Sequence, residues 1–540
     1  MNSSKKQKIK AYCKFLKSRG IPRQRTTVKA IHTIVKFLHK SNKKIQWSKK
    51  FYPKELLLDF SNLSSNIYSK WVHGKRYMEN KGFKLYEPYQ TKALYWFLKR
   101  EINPKYKHGG IIADEMGLGK TIQSLSIIAA NPTKLPTIIV LPISLIQQWL
   151  KFIKILFPKF VIYIHHGPTR KTTTQDILNL KPDIVLTSHG LLSKRNRLQK
   201  KIFIPTVLHQ ITWSRIIIDE AHYIRNFSSL KTQGVMALKA QNRWALTGTP
   251  IQNKINDIYT LFRFIGFKLS QLKDPQLFQK IKLKYLLRRT KKQLQNFNPT
   301  LALQPPTIND VLLKFHTNKE KKFYTKVKNN TTKEFHKILA SNIDKKTQMV
   351  LIFELLLRLR QATITPQLVL NGYTKKGLFK KSYRWNTLST KFFQLLQDIT
   401  SLQHTHPDDH IIIFTQFTHE IDAIYTLLRQ TISSIDKIDG RTSTSDRHHI
   451  LLHPPHILLI QIKAGSVGLN LQHYNRVFFT APHWNPATQL QAIARAHRLG
   501  QTKHVTVTRY FLENTIDQYI QTLQHNKLQL LHNTLTTTSP

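Results

Sequence analysis

The chain has 540 residues, 41% of them hydrophobic, and its 85 Lys+Arg against 28 Asp+Glu leave a formal charge of +57, beside 25 His. Such an apolar share excludes wholesale disorder, and the length predicts about three to four folded units. The lone cysteine, Cys13, excludes a disulfide framework and Cys-rich zinc modules; no apolar run approaches a span of about 18 residues and no apolar signal core follows the basic start, so the chain reads as intracellular and away from membranes.

Taken in order, the first segment, 1–82, is basic. From Met1 to Lys54 it carries 17 Lys/Arg and no acid, the first carboxylate being Glu55. Apolar residues recur there at helical spacing (Ile9, Tyr12, Cys13, Leu16, then Val28, Ile31, Ile34, Phe37, Leu38), which predicts helices. Two readings stay open: a solvated face with a nuclear-import tract, or a small module that grips phosphates. Over 83–267, apolar runs at Ile111–Ala113, Thr137–Leu141, Asp183–Thr187, Arg215–Asp219 and Trp244–Thr247 alternate with helical patterns. That alternation predicts a parallel α/β sheet wrapped by helices. Residues 268–388 change character, with Lys-rich helical stretches (Asn318–Leu339, Gln348–Gln361) and a Pro305-Pro306 break, and read as a helical insertion and linker. A second α/β run over 389–528 places strands near Ile411–Thr415, Ile457–Gln461, Arg476–Thr480 and Thr506–Tyr510, and the tail 529–540 reads as frayed.

Within the first sheet unit, Asp114-Glu-Met-Gly-Leu-Gly-Lys-Thr121 follows a short strand and opens a helix over Ile122–Ala130. Gly117 and Gly119 let the backbone turn sharply and aim N–H groups at phosphate oxygens, with the helix N-terminus adding its dipole. Lys120 suits a β/γ-phosphate and the Thr121 hydroxyl suits Mg²⁺. Asp114 stands where the strict phosphate-loop pattern has a glycine. Further on, a buried strand ends in Asp219-Glu-Ala-His222, which can deliver Asp219 to Mg²⁺ and Glu220 to an attacking water. A lone Asp-Glu pair usually just caps a strand; the phosphate loop upstream in the same sheet unit favours the hydrolytic reading. In Gln491–Gln501, Arg495 and Arg498 share a helix face and could reach a γ-phosphate, although spacing alone favours a solvated basic helix.

The ordered set of motifs resembles the Swi/Snf-type ATPases of helicase superfamily two. It comprises Leu85-Tyr-Glu-Pro-Tyr-Gln90, the phosphate loop, Thr137-Ile-Ile-Val-Leu-Pro-Ile-Ser-Leu145, Asp183-Ile-Val-Leu-Thr187 and Asp219-Glu-Ala-His222, then Ala245-Leu-Thr-Gly-Thr-Pro-Ile-Gln-Asn253 and Leu287-Arg-Arg-Thr290. Ile411-Ile-Ile-Phe-Thr-Gln-Phe417, Lys463-Ala-Gly-Ser-Val-Gly-Leu-Asn470 and Gln491–Gln501 complete it, over about Leu85 to Thr522, with a flavour similar to the repair, transcription-termination and short viral branches. The resemblance implies two tandem RecA-like lobes with a helical protrusion, ATP and Mg²⁺ as cofactors, and double-stranded DNA as partner, with nucleosomes or the transcription machinery as cargo in a nucleus. It implies that Gln90 reads adenine, that Asp114, Glu115, Met116, Gly117, Leu118, Gly119, Lys120 and Thr121 cradle nucleotide, and that Asp219 and Glu220 hold Mg²⁺ and orient water. Arg495 and Arg498 become arginine fingers, Gly468 approaches nucleotide, and Thr249 couples hydrolysis to lobe movement. Ser144, Thr187, Gln416, Lys463 and Trp484 fall in segments that face DNA in that family. Ser466, in place of a second glycine, and Thr363-Ile-Thr-Pro366, in place of Cys-Cys-His-Pro, depart from the pattern. The expected activity is ATP-dependent translocation on duplex DNA that remodels protein–DNA complexes; a strand-separating helicase and a non-enzymatic basic nucleic-acid-binding protein are the rivals.

Overall fold

Short runs of β-branched and aliphatic residues, buried on both faces, build two all-parallel sheets. The computed structural model describes residues 65–86, 89–195, 203–295, 304–375, 384–465, 469–498 and 500–535, all within one unit spanning 58–540. The expected features over Met1–Lys54 lie outside the described residues.

The first sheet is formed by β1 (Gly109–Ile112), β2 (Thr137–Leu141), β3 (Ile162–His165) and β4 (Ile184–Ser188). After a small antiparallel pair, β5 (Lys194–Arg195) and β6 (Phe203–Ile204), it continues with β7 (Thr212–Ile218), β8 (Lys239–Leu246) and β9 (Leu286–Leu287). The order is β3-β4-β2-β7-β8-β1-β9, so β8 separates the strand that precedes the phosphate loop from the strand that ends at Asp219. The helix Ser65–Asn80 packs on this lobe: the Trp71 indole donates to Thr91 O (2.8 Å), the Tyr77 hydroxyl to Leu156 O (2.8 Å), and Met78 is buried. The boundary expected at 82 therefore moves toward the N-terminus.

At its other end the lobe extends beyond 267. Leu286 and Leu287 pair with Ile111 and Ile112, and the helices Asn256–Phe264 and Pro275–Tyr285 bury Phe262, Phe264, Phe278 and Tyr285 in the same core as β1 and β7. A two-residue strand has no periodicity to read, and the lysines of 275–285 made its helix look like the start of an insertion.

The second sheet contains β10 (Thr307–Leu313), β11 (Ile411–Thr415), β12 (Ile435–Ile438), β13 (Ile457–Gln461), β14 (Arg476–Phe479) and β15 (Thr506–Leu512), in the order β10-β15-β14-β11-β13-β12. Because β10 pairs along its whole length with β15, the second lobe begins near 307 rather than 389. The helices Asn318–Ala340, Lys345–Ala362 and Pro366–Lys375 are thus an insertion within it, joined to Ile516 and Ile520 through Tyr324, Val327, Leu359, Ala362 and Val369. Thr363, in the segment that departs from the family pattern, donates to Asp517 Oδ1 (3.0 Å), whose other oxygen pairs with buried Lys391 (2.5 Å).

The final helix, Ile516–Leu535, leaves the second lobe and ends on the first. Leu535 enters the first-lobe core with Leu530 and Leu531 against it, and Lys282 Nζ donates to Thr534 O (2.8 Å). The frayed tail expected from 529 is therefore helical to 535. Among the described residues, no helix is long and apolar enough to cross a membrane.

Candidate active site

Parallel α/β sheets bind ligands beyond the carboxyl ends of their strands, and the candidate residues gather there. After β1 the chain turns through Gly117 (φ 88°) and Gly119 (φ 74°), left-handed conformations that side chains resist. Gly119 is the N-cap of the helix Lys120–Ala130 and contributes no side-chain cap, leaving first-turn N–H groups for an outside acceptor. Lys120 Nζ donates to the loop's own carbonyls, Asp114 O (2.7 Å) and Glu115 O (3.2 Å). Burial lowers the Lys120 pKa, against the opposing charges of Glu220, Asp114 and Asp219. A Cβ on Gly248 would lie 2.6 Å from Met116 Cγ and 3.6 Å from Lys120 Nζ, so the turn after β8 closes against the same loop. An uncapped helix start, two left-handed glycines and a half-buried lysine together fit a polyphosphate.

Two expected nucleotide ligands are engaged elsewhere. Asp114 is fully buried; its carboxylate accepts from Arg289 Nε (2.9 Å), forms an ion pair with Arg289 Nη2 and takes Gln123 Nε2 (3.1 Å). Glu115 Oε2 accepts the Lys291 N–H (2.6 Å). Both carboxylates tie the phosphate loop to the chain after β9. Arg288 joins them, donating to Ala113 O (2.9 Å). Spacing within Leu287-Arg-Arg-Thr290 cannot reveal the role of Arg289, whose partner lies 175 residues away. Arg289→Ala would leave Asp114 buried without its counter-charge. We expect about 3–5 kcal/mol of destabilisation, read as a lower thermal midpoint, and an unchanged midpoint would show the pair to be dispensable.

Gln90 lies against the loop, with Oε1 accepting the Tyr86 N–H (3.1 Å) and Nε2 donating to Leu118 O (3.3 Å). An adenine edge would have to replace one of these bonds. Leu118 packs on Tyr89.

Beyond β7, Asp219 Oδ2 accepts the Trp149 indole N–H (2.9 Å) and Oδ1 accepts the Glu220 N–H (2.9 Å), so each carboxylate oxygen is oriented by one donor and keeps a further lone pair. Trp149 was not anticipated; only its place after the β2 turn hinted at it. Burial and the Glu220 charge push Asp219 up to about 6. Glu220 sits in the left-handed region (φ 50°), an uncommon conformation for a side-chain-bearing residue and one that clusters at functional sites. Burial raises its pKa, but His222 at 3.2 Å, Arg495 and Lys120 outweigh this and hold it down at about 2. A carboxylate kept ionised beside a half-buried lysine suits the orientation of a water. Thr121 lies in the first turn of the helix Lys120–Ala130, and among the described residues no cluster of three or more acidic, His or Cys residues forms a complete cage for a metal. A divalent ion here would rely on Asp219, Thr121 and substrate oxygens, the sparse protein set that Mg²⁺ accepts.

The second lobe supplies the opposing wall. The helix Pro486–Ala496 starts with Asn485 as its N-cap, Oδ1 accepting the Ala487 N–H (3.1 Å), and has Pro at its first position. It carries Arg495 in its last turn, where the arginine's charge acts on Glu220, and Arg498 follows in the next turn. Arg498 Cγ is 3.7 Å from where a Gly117 Cβ would stand, so the two arginines reach the phosphate loop and the acid pair of the first lobe. Asn485 Nδ2 also donates to Gln252 Oε1 (3.2 Å), and Gln252 Nε2 lies 3.4 Å from Thr249 Oγ1. Thr249, beyond β8, is thereby linked to the start of the arginine-bearing helix. Gly468 and Ser466 lie outside the described residues.

The expected polynucleotide contacts all stand at carboxyl ends of strands: Ser144 beyond β2, Thr187 in β4, Gln416 beyond β11, Lys463 beyond β13 and Trp484 beyond β14. Ser144 and Lys463 are exposed and Trp484 is half-buried, 5.5 Å from the Arg360 guanidinium. The Thr187 side chain is fully buried and its hydroxyl donates to His165 O (3.2 Å). The Gln416 amide is likewise occupied by Ala481 O (3.0 Å) and Pro482 O (2.8 Å).

Family comparison matches the SNF2-related domain to residues 89–283 and the helicase conserved C-terminal domain to residues 391–500, together more than half of the chain and one in each lobe. The probable global transactivator of Orgyia pseudotsugata multicapsid polyhedrosis virus is 28% identical over 82% of this chain and 90% of its own length. The DNA repair protein rad8 of Schizosaccharomyces pombe is 26% identical over 78% of this chain, which spans 52% of rad8. The Sulfolobus solfataricus SWI2/SNF2 ATPase core solved in complex with dsDNA is 25% identical, with 84% of this chain and 95% of that chain covered at a TM-score of 0.35. With a phosphate loop and acid pair in one lobe and both arginines in the other, the chain belongs to the SNF2-related, helicase-like ATPases.

Proposed function

We propose that the protein hydrolyses ATP with Mg²⁺ to move along double-stranded DNA and remodel protein–DNA complexes. The observation that carries this reading is the approach of Arg495 and Arg498 to the phosphate loop and to Glu220 across the lobe boundary. Lys120 and the uncapped start of its helix bind the polyphosphate, Glu220 orients water, and the two arginines meet charge that spreads over the transferred group. Mg²⁺, held by Asp219 and Thr121, supplies further neutralisation of phosphate charge. Both walls contact one ligand only when the lobes are together, so occupancy biases closure and hydrolysis releases it.

A DNA track is supported by the +57 charge, by exposed Ser144 and Lys463 at the strand ends of the two lobes, and by relatives named for DNA repair and transactivation. Those names also support a nucleus as the place of action and nucleosomes or the transcription machinery as cargo. Phosphate contacts carry no sequence information, so affinity should be nearly sequence-independent and fall about 10³–10⁵-fold between 50 and 200 mM salt if 6–10 phosphates are neutralised. A flat salt response in a duplex titration would remove the electrostatic track.

The deciding experiment is ATP turnover titrated in parallel with duplex DNA, single-stranded DNA, RNA and nucleosomes. Stimulation led by duplex, without displacement of a strand from forked DNA, is the expected result. Turnover indifferent to every polynucleotide, or efficient displacement, would overturn it.

A further inference from the structure

The chain after β9 touches both sides of the cleft. Thr290 and Gln293 bond reciprocally, Thr290 N–H to Gln293 Oε1 (2.8 Å) and Gln293 N–H to Thr290 Oγ1 (3.2 Å), which fixes the start of the helix Lys291–Gln295. The Lys291 N–H donates to Glu115 Oε2, and the Glu115 N–H returns to Arg289 O (2.9 Å), so the Lys291 backbone is bound to the phosphate loop. Its side chain passes the same loop, Cε and Nζ lying 3.6 and 3.7 Å from where a Gly117 Cβ would stand, and its ammonium ends on the second lobe. Lys291 Nζ donates to His497 O (2.6 Å) and lies 3.1 Å from His497 Nδ1.

His497 is the C-cap of the helix Pro486–Ala496, and Arg498 is the next residue. The last carbonyls of a helix lack partners within it and mark its negative end, where an ammonium both satisfies a lone pair and complements the dipole. The other face of the imidazole is held as well, with Nε2 at 2.9 Å from Gln304 O. Burial works against the Lys291 charge, as do Lys120 and Arg498, while Glu115 opposes them. A cation kept in such company needs acceptors that repay its desolvation, and those acceptors belong to the turn that presents Arg498.

We propose that Lys291 is a positioning residue that fixes the Arg498 turn of the second lobe against the phosphate loop of the first. This rests on the nucleotide site proposed above and adds a residue to it. The tether spans the lobes: main chain on the loop through Glu115, ammonium on the peptide that precedes Arg498. Its loss leaves the phosphate loop, Lys120 and the acid pair in place but lets the guanidinium wander from the transferred group, which lowers kcat far more than nucleotide affinity.

The test uses the full chain with Lys291→Met, Lys291→Arg, Arg498→Ala and the Lys291→Met/Arg498→Ala double variant. Binding of a fluorescent ADP reports folding and the first-lobe site, and DNA-stimulated turnover gives kcat and KM. We expect Lys291→Met to bind the ADP probe within about 3-fold of the parent and to lose about 10–100-fold in kcat, with Lys291→Arg recovering most of it. In the double variant the Lys291 defect should vanish into that of Arg498, since a residue acting through another adds nothing once the other is gone. A double variant whose loss equals the product of the single losses, or Lys291→Met with parental kcat, overturns the tether alone. Normal turnover by Arg498→Ala overturns the nucleotide site beneath it.

Discussion

Replacing Lys120 with alanine is expected to lower kcat by about 10³-fold, near 4 kcal/mol of transition-state stabilisation, while duplex DNA affinity stays within about 3-fold. The size follows from where the ammonium lies. It is half-buried, bound to two carbonyls of the phosphate loop, and its charge is favoured by Glu220, Asp114 and Asp219, which holds the ammonium at the loop. Its loss also leaves Asp114 O short of a donor, while Glu115 O keeps the Leu118 N–H (3.4 Å); this costs folding about 1–3 kcal/mol and should appear as a modest fall in thermal midpoint. The proposed DNA contacts are made by other side chains, the exposed Ser144 and Lys463 among them, hence the retained DNA affinity. Turnover and DNA binding measured on the same preparation decide the matter. A variant that still hydrolyses ATP in response to DNA would remove Lys120 from the site.

How much of this was readable before folding depends on burial. Thr137–Leu141, Ile411–Thr415 and Ile457–Gln461 were read to the residue, because a strand covered on both faces must be apolar throughout and a short β-branched run has few alternatives. Strands β3 and β12 were missed: both lie at a sheet edge, and β12 carries Asp436 and Lys437 where an apolar run would be sought. Strand β10 was missed for a related reason. It is mostly exposed and includes Asn309 and Asp310; the parallel register with β15 and the Asp310–Arg509 pair (2.6 Å) define it, and both partners lie far along the chain.

The site divides along the same line. Backbone chemistry requires glycines, a lysine and a helix start in one short stretch, so the phosphate loop could be recognised locally. What local sequence cannot show is that the carboxylates of Asp114 and Glu115 bond to Arg289 and Lys291, far along the chain. Thr187 shows the limit in the second direction: a residue at a strand end looks available on paper, and only its neighbours reveal that its hydroxyl is already bonded. Conversely, the pair Arg495 and Arg498 would have been set aside on spacing as a solvated surface, yet the second lobe delivers it to Glu220 and Gly117.

That delivery supports the second large prediction. Arg498→Ala should bind ATP within about 3-fold of the parent and lose about 10³–10⁵-fold in kcat, the range over which a guanidinium aimed at a transferring phosphoryl group acts. Ground-state binding belongs to the first lobe, to the glycine turn, Lys120 and the helix start, none of which changes. The guanidinium contributes only when charge shifts onto the equatorial oxygens, and a lysine at this position would lack the forked donor geometry, so Arg498→Lys should recover little. Burial, and the Arg495 charge beside it, work against the charged form of Arg498, so a bound anion would favour that form. Single-turnover measurements separate the steps: normal nucleotide capture with a slowed chemical step is the expected pattern, whereas unimpaired chemistry would return the helix Pro486–Ala496 to the status of a basic surface.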